Sequence, residues 1–521
     1  MPAVFRTELT LPAEARIRQL VNHFGRSLAV LADFPEDQTE LLVQALWEAC
    51  KNSVEYAYVD DEPGLITLAG ELTPKALTLS IRDQGLPFDQ TLEPDTPPAD
   101  SDSFCQPPRR GLGLFLIHQC ADEVRWINHG PEGKELRLTK YRRGLCPLEP
   151  PAAPPHRVLP GESLTKCPQD YTIRLVRPED AIRVAQLIYR VYGYTYARVD
   201  IYYPERLAHN IKTGTHVAVV AVAEDGEIAG HVGLMRPNLG LLAELGEVAV
   251  APLHRGRGLY KRMNERLYEE IQRLGLIGFY AEAVTVHTIS QEGCEAQGLQ
   301  PTGIDLLNFR IHFKKLETIQ PDLGCPDNEL GPGPQQEALV FYFNYLVPPE
   351  TTRVCAPARH REILAKIYRN LGVPVKFLRP GRAAGSGRLA VHFNPNINTG
   401  FIQANRIGAD TFPEIERACH DLCVLAGAAV VFLDLPLAQG GTPDLCDAAE
   451  AIGFFFSGVR PHFAADGDFL RLQYLNSTLD PERIHLASPF GRELLDYILK
   501  DKARVEPNRK RYKPSQGMPE I

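Results

Sequence analysis

Three stretches hold residue types whose spacing could do chemistry. The run Leu245–Met263 reads as a β-branched strand, a Pro-marked exit at Pro252, the turn Arg255-Gly256-Arg257-Gly258, and a helix continued by Leu267, Ile271 and Leu274. Glycine lets backbone approach a ligand closely, and a helix start offers N–H groups and partial positive charge, which together suit a pyrophosphate. Arg255 and Arg257 add full charge, although the same pattern also serves as a plain tight turn. A second stretch carries Glu48 and Asn52 four residues apart, so both polar heads fall on one helix face and can share a water or a metal ion. The third pairs Asp83-Gln84-Gly85-Leu86-Pro87-Phe88-Asp89 at a strand end with Arg109-Arg110-Gly111-Leu112-Gly113-Leu114, a Gly-rich entry to an apolar helix.

Regular elements must position these groups. The spacing predicts a core-facing helix over Leu41–Tyr58 and strands over Gly64–Glu71, Ala76–Arg82 and Gly133–Lys140. Further on, Tyr171–Arg177 alternates as a strand, and a helix opens at Pro178 with acids in its first turn and a stripe over Ile182–Tyr192. Val217–Val222 and Ile228–Leu234 form a hairpin around Asp225-Gly226, Gly278–Val284 is a strand, and Ser290-Gln291 opens a helix ending near Gly298. Beyond a Gly/Pro-rich connection at 324–334, the pattern gives a strand at Ala338–Leu346, helices at His360–Leu371, Phe412–Leu425 and Thr442–Ala451, and strands at Arg388–Phe393, Gly400–Ala404, Ala428–Leu433, Gly453–Pro461 and Phe469–Leu475.

The first region resembles the GHKL ATPases, most closely the anti-sigma-factor serine kinases, through Glu48-x-x-x-Asn52, Asp83-x-Gly85-x-Pro87-Phe88-Asp89 and Gly111-Leu112-Gly113-Leu114 in that order. The resemblance implies an α/β sandwich holding ATP and Mg²⁺: Asn52 binds the metal, Asp83 accepts from the adenine amino group, Gly85, Gly111 and Gly113 shape the pocket, and Glu48 is the general base. Residues 92–108 fall where that family carries a lid. The middle region resembles the GCN5-related N-acyltransferases (GNAT) through its strand, Arg177-Pro178-x-Asp180, helix opening and through Arg255–Tyr260, with Tyr260 standing where the family has Gly or Ala. This implies acetyl-CoA or another acyl-CoA held by Val248, Val250, Arg255, Gly256, Arg257, Gly258, Tyr260 and Ser290, with Glu247 as general base, Glu282 second and His287 third. Cys294 falls where the family places a general-acid tyrosine; a small apolar filler is the plainer reading of it. The closing helix, Gly-Phe and hairpin suggest a second, degenerate GNAT-like module, since Arg406–Thr411 has one glycine and no paired arginines; an unrelated α/β domain is the alternative.

The organisation read from this is α/β multidomain: an ATP-binding domain at 1–145, a Pro-rich linker at 146–168, a GNAT domain at 169–318, a C-terminal α/β domain at 319–500 and a polar tail at 501–521. A net charge of −9 over 521 residues argues against a nucleic-acid partner. No apolar run reaches the roughly 18 residues of a membrane span, and the start lacks a signal-peptide pattern, so a cytoplasmic protein is expected. Eleven cysteines without CxxC pairs read as reduced thiols, and Cys419 and Cys423 as core residues rather than ligands. The expected function is ATP-regulated acyl transfer to an amine or protein. The alternative is an anti-sigma-type kinase acting on a regulatory partner, a sigma factor or its antagonist, with the GNAT domain sensing acyl-CoA.

Overall fold

The computed structural model describes residues 5–58, 64–88, 117–142, 170–194, 196, 198–311 and 335–508. Gly111, Gly113, residues 92–108 and the linker at 146–168 lie outside them. The chain divides into two compact units, the first ending at Gly233 and taking in Glu247–Leu267, the second holding Leu234–Gly246 and the chain from Tyr268 on.

The first unit opens with an antiparallel sheet in the order β1-β2-β3-β5-β4, built from β1 (Phe5–Pro12), β2 (Leu65–Leu72), β3 (Ala76–Asp83), β4 (Glu123–Asn128) and β5 (Lys134–Tyr141). Helices α1 (Arg18–Leu31) and α2 (Glu36–Tyr56) contribute Val21, Leu28, Leu42, Leu46 and Ala49 to one core with Ile66, Leu79, Ile81 and Leu138 of the sheet. Helix α2 starts ahead of its apolar stripe because Pro35 precedes it and Glu36 and Asp37 sit in its first turn, where acids suit the helix dipole. The same unit continues with β6 (Tyr171–Leu175), α3 (Ala181–Tyr192), α4 (Pro204–Thr213), β7 (His216–Ala223), most of β8 (Ile228–Met235), the later part of β9 (Leu242–Val250) and the start of α5 (Leu259–Arg273). Strands β6 and β7 pair antiparallel, and every residue of β8 is buried.

In the second unit, β10 (Gly278–Val284) runs parallel to the early part of β9 and is followed by α6 (Ile289–Ala296) and β11 (Gln300–Ile311). Strand β12 (Gln335–Tyr345) lies between β10 and β11, antiparallel to both, so the first strand beyond residue 319 completes the sheet of the middle region. The chain then forms β13 (Thr352–Val354), α7 (Arg361–Asn370), β14 (Val375–Phe377), β15 (Arg388–Asn394), β16 (Thr399–Arg406), α8 (Thr411–Val424), β17 (Val430–Pro436), α9 (Thr442–Ala451), β18 (Phe455–Ala464), β19 (Gly467–Leu475) and α10 (Pro489–Val505).

Its topology repeats. Strand β16 is parallel to β17, and β19 lies between β17 and β18, antiparallel to both, as β12 lies between β10 and β11. The helices fall at equivalent places, α8 and α9 matching α5 and α6. The two halves join through β11 and β18 at Gly303 and Gly458, where a Cβ on Gly458 would stand 2.2 Å from the Gly303 Cα. Beside this contact Arg460 and Arg471, both buried, share the Asp305 carboxylate, and Arg471 also grips Asp434 with two hydrogen bonds of 2.7 Å. Cys419 and Cys423 are buried core residues.

The expected polar tail from 501 is corrected over its first residues. Helix α10 runs to Val505 because Leu494, Ile498, Asp501 and Val505 form one buried stripe, and the Asp501 carboxylate accepts the Phe456 N–H at 2.9 Å.

Candidate nucleotide and acyl-CoA sites

Strand β3 ends at Asp83, whose carboxylate is buried. Its Oδ2 accepts from Ser53 Oγ on α2 at 2.6 Å, and its Oδ1 accepts from the Gly85 N–H at 2.9 Å and from Lys134 Nζ at 2.5 Å. Asp83 and Lys134 are direct cross-strand partners on β3 and β5, so sheet register itself sets the pair. Burial lowers the Lys134 pKa, and the Asp83 charge works against that fall. The following turn packs on the end of α2. Leu86 N–H donates to the Ala57 carbonyl, and a Cβ at Gly85 would stand 2.2 Å from that oxygen, which is why glycine is required there. Glu48 and Asn52 lie one turn apart on α2, both half-buried. Three of the roughly four acceptor directions of the Asp83 carboxylate are used, which leaves one for an exocyclic amine.

Helix α3 and the chain after it reach this turn. Tyr194 Oη donates to the Gly85 carbonyl at 2.8 Å, Tyr189 Oη to Gln84 at 3.2 Å and Gln186 Nε2 to Pro87 at 2.9 Å. The same segment reaches β9. Tyr192 Oη donates to the Val248 carbonyl at 2.5 Å, and Tyr196 Oη accepts the Glu247 N–H at 2.8 Å. Ring contacts pair Tyr189 with Tyr194 at 4.8 Å and Tyr192 with Tyr196 at 5.1 Å. The backbone around Glu247 is thus satisfied by side chains, and Glu247 itself adopts φ 52°, a left-handed conformation unusual for a residue with a side chain.

After β9 the loop turns through Gly256 at φ 73° and Gly258 at φ 69°. Among the described residues nothing lies within 4 Å of a Cβ at either, so conformation rather than crowding demands glycine. Arg255 Nε donates back to the Val250 carbonyl at 3.2 Å, and burial lowers its pKa. The Arg257 guanidinium sits 6.0 Å from the Tyr171 ring centre, and the Tyr260 carbonyl accepts from Asn264. His254, which the sequence reading passed over, is buried and shares a 2.9 Å hydrogen bond with Tyr171, anchoring the loop to β6.

In the second unit Ser290 stands at the start of α6, where Gln291 binds the carbonyls of Val284, His287 and His485. Cys294 is buried, and desolvation together with the Glu295 charge pushes its thiol up to about 12. Burial, with the charges of Glu244 and Asp305, pushes Glu282 up to about 7.

The chain carries a histidine kinase-like ATPase domain followed by a GNAT acetyltransferase domain. Residues 11–140 match the histidine kinase-like ATPase domain, and residues 183–292 match the acetyltransferase (GNAT) family. Over 142 residues the chain is 31% identical to the serine-protein kinase RsbW of Bacillus subtilis (strain 168), covering 86% of that protein and 26% of this chain. It is 32% identical over 138 residues to the RsbW of Bacillus mycoides (strain KBAB4), covering 84% of that protein and 26% of this chain. Through its N-terminal domain the chain belongs to this family of histidine kinase-like ATPases. An acetyltransferase of the GNAT family from Streptococcus pneumoniae aligns over 100% of its own length and 34% of this chain, at 16% identity and a TM-score of 0.27.

Proposed function

We propose that the chain is an acyl-CoA-dependent N-acyltransferase whose activity responds to ATP bound in the N-terminal domain. The observation that carries the reading is the tyrosine segment, which binds the turn after Asp83 at one end and the backbone of Glu247 and Val248 at the other. Glu48 and Asn52 offer oxygen donors on a partly open helix face, a set that suits Mg²⁺ on a nucleotide. Bound there, ATP supplies a transferable phosphoryl group. Asp83 receives the adenine amino group, Lys134 balances the buried charge, and Gly85, with Gly111 and Gly113, shapes the pocket.

In the GNAT domain Val248, Val250, Arg255–Gly258 and Tyr260 hold acyl-CoA. Glu247 takes the proton that the acceptor amine gives up as its nitrogen bonds to the acyl carbon and the C–S bond breaks. An assay of acyl-CoA-dependent thiol release over a panel of amines and basic peptides tests this. Turnover that Glu247→Gln cuts by a factor in the general-base range of about 10²–10⁴ supports the reading, and a panel with no turnover overturns it.

The identity to RsbW proteins favours a second reading of the first domain, phosphorylation of a serine on a regulatory protein with Glu48 orienting the hydroxyl. Under it, Glu48→Ala keeps nucleotide affinity and loses phosphoryl transfer, while Asn52→Ala loses Mg²⁺-dependent binding.

A further inference from the structure

Three neighbouring strands of the first unit bring His216 (β7), His231 (β8) and Glu247 (β9) together, each at most 4% exposed. One nitrogen or oxygen from each lies within 4.8 Å of the others, and His216 Nε2 stands 3.4 Å from Glu247 Oε2. The Nε2 atoms of both histidines are buried, and neither has a hydrogen-bond partner among the described residues. That is costly for a polar atom unless something else meets it. His231 Nδ1 lies 2.7 Å from the Glu247 carbonyl oxygen and donates to it, which leaves the Nε2 lone pair facing the cluster. Gly233 leaves the room: a Cβ there would stand 2.8 Å from Glu247 Oε2 and 3.3 Å from His231 Cε1.

A second cluster, His360, Cys446 and Glu450, shows what a purely structural set looks like. There His360 bonds Tyr497 and Glu450 at 2.7 Å each, and Glu450 also meets Arg359 and Arg504. His360 thus spends both ring nitrogens on hydrogen bonds, whereas His216 Nε2 and His231 Nε2 make none among the described residues.

We infer that His216, His231 and Glu247 form a binding site for a divalent transition-metal ion, Zn²⁺ by donor type. Two imidazoles and one carboxylate select Zn²⁺, Co²⁺ or Ni²⁺ over Mg²⁺ or Ca²⁺, which prefer all-oxygen ligands. At metal–ligand lengths of about 2.0–2.1 Å, neighbouring ligands of a tetrahedral site lie about 3.4 Å apart, as His216 and Glu247 already do. The wider pairs close by rotation of an imidazole. Three protein ligands leave a fourth position open. The site stands independently of the acyl-transfer reading, but the two interact: the lone pair that Glu247 gives to the ion is withdrawn from proton acceptance, so occupancy inhibits acyl transfer.

The test uses the full chain, stripped with chelator and titrated with Co²⁺ and with Zn²⁺. We expect one equivalent of Co²⁺ with the intense visible bands of four- or five-coordinate nitrogen and oxygen ligation, lacking the near-ultraviolet sulfur charge-transfer band of a cysteine site, and displaced by Zn²⁺. His216→Gln and His231→Gln, each checked for folding by circular dichroism, lower Zn²⁺ affinity by at least about a hundredfold. Absence of stoichiometric binding, a sulfur band, or unchanged affinity in a folded His216→Gln protein overturns the site. Turnover with no metal binding removes this inference alone, and metal binding without turnover on any amine removes only the acyl-transfer reading.

Discussion

The hydroxyl of Tyr194 donates to the carbonyl of Gly85 at 2.8 Å, so a side chain of the acyltransferase region closes the turn that the nucleotide domain builds around Asp83. Two residues on, Tyr196 accepts the Glu247 N–H. The Asp83 turn and the backbone of Glu247 are thus each hydrogen-bonded by tyrosines of one short segment, and this gives coupling a physical element to act through.

The buried Asp83–Lys134 pair has a measurable cost when broken. Asp83→Asn leaves a buried ammonium without its counter-charge, and the N-terminal domain should lose about 3–5 kcal/mol. Both tryptophans, Trp47 and Trp126, lie in this domain, so fluorescence-monitored urea unfolding of the full chain reads it directly. Adding Lys134→Met should recover much of the loss. An unchanged midpoint in Asp83→Asn would mean the pair contributes nothing.

Acid should attack the same domain through Glu135. Burial alone would raise its pKa, but hydrogen bonds from Arg137, His129 and Ser80 and the Arg82 charge bring it from 4.5 down to about 2. A carboxylate with a depressed folded pKa stabilises the fold above its unfolded pKa, and that contribution drains away as pH falls from about 5 towards 2. Glu135→Gln should remove it and flatten the stability profile between pH 5 and 2; a parallel profile in the variant contradicts the assignment.

In the acyl-CoA loop, Gly258→Val forces a β-branched residue into φ 69°, a cost of about 1–2 kcal/mol that the loop relieves by moving. Calorimetry should find acetyl-CoA binding weaker by about tenfold with the tryptophan unfolding transition unchanged. Parent-like affinity would reduce the loop to a turn.

Local patterns carried much of this into the sequence. The stripe of α2, the Asp83 turn, the hairpin around Gly226 and the Gly256/Gly258 loop are each written in neighbouring residues, and each formed near its expected place. The C-terminal region is legible in the sequence only as a helix, Gly-Phe and hairpin; its strand order needs the pairing of β16 with β17 and of β19 with both its neighbours. Lys134 was within reach, since it stands two residues before the inward Leu136 on the same strand and must also point in. The His216, His231 and Glu247 cluster was not, because only the neighbouring placement of β7, β8 and β9 brings it together. Helix α10 was cut short in the reading because its charged last turns hide a buried stripe that includes an aspartate.

Calorimetric titration of acetyl-CoA with and without saturating ATP and Mg²⁺ measures whether the nucleotide and acyl-CoA sites act on one another. The account predicts that ATP changes the acetyl-CoA Kd by about fivefold or more, that acetyl-CoA changes the ATP Kd by the same factor, and that Tyr194→Phe shrinks the effect by about two- to tenfold, the worth of one hydrogen bond. Identical acetyl-CoA affinity with ATP present and absent, in a protein that binds both, would contradict it.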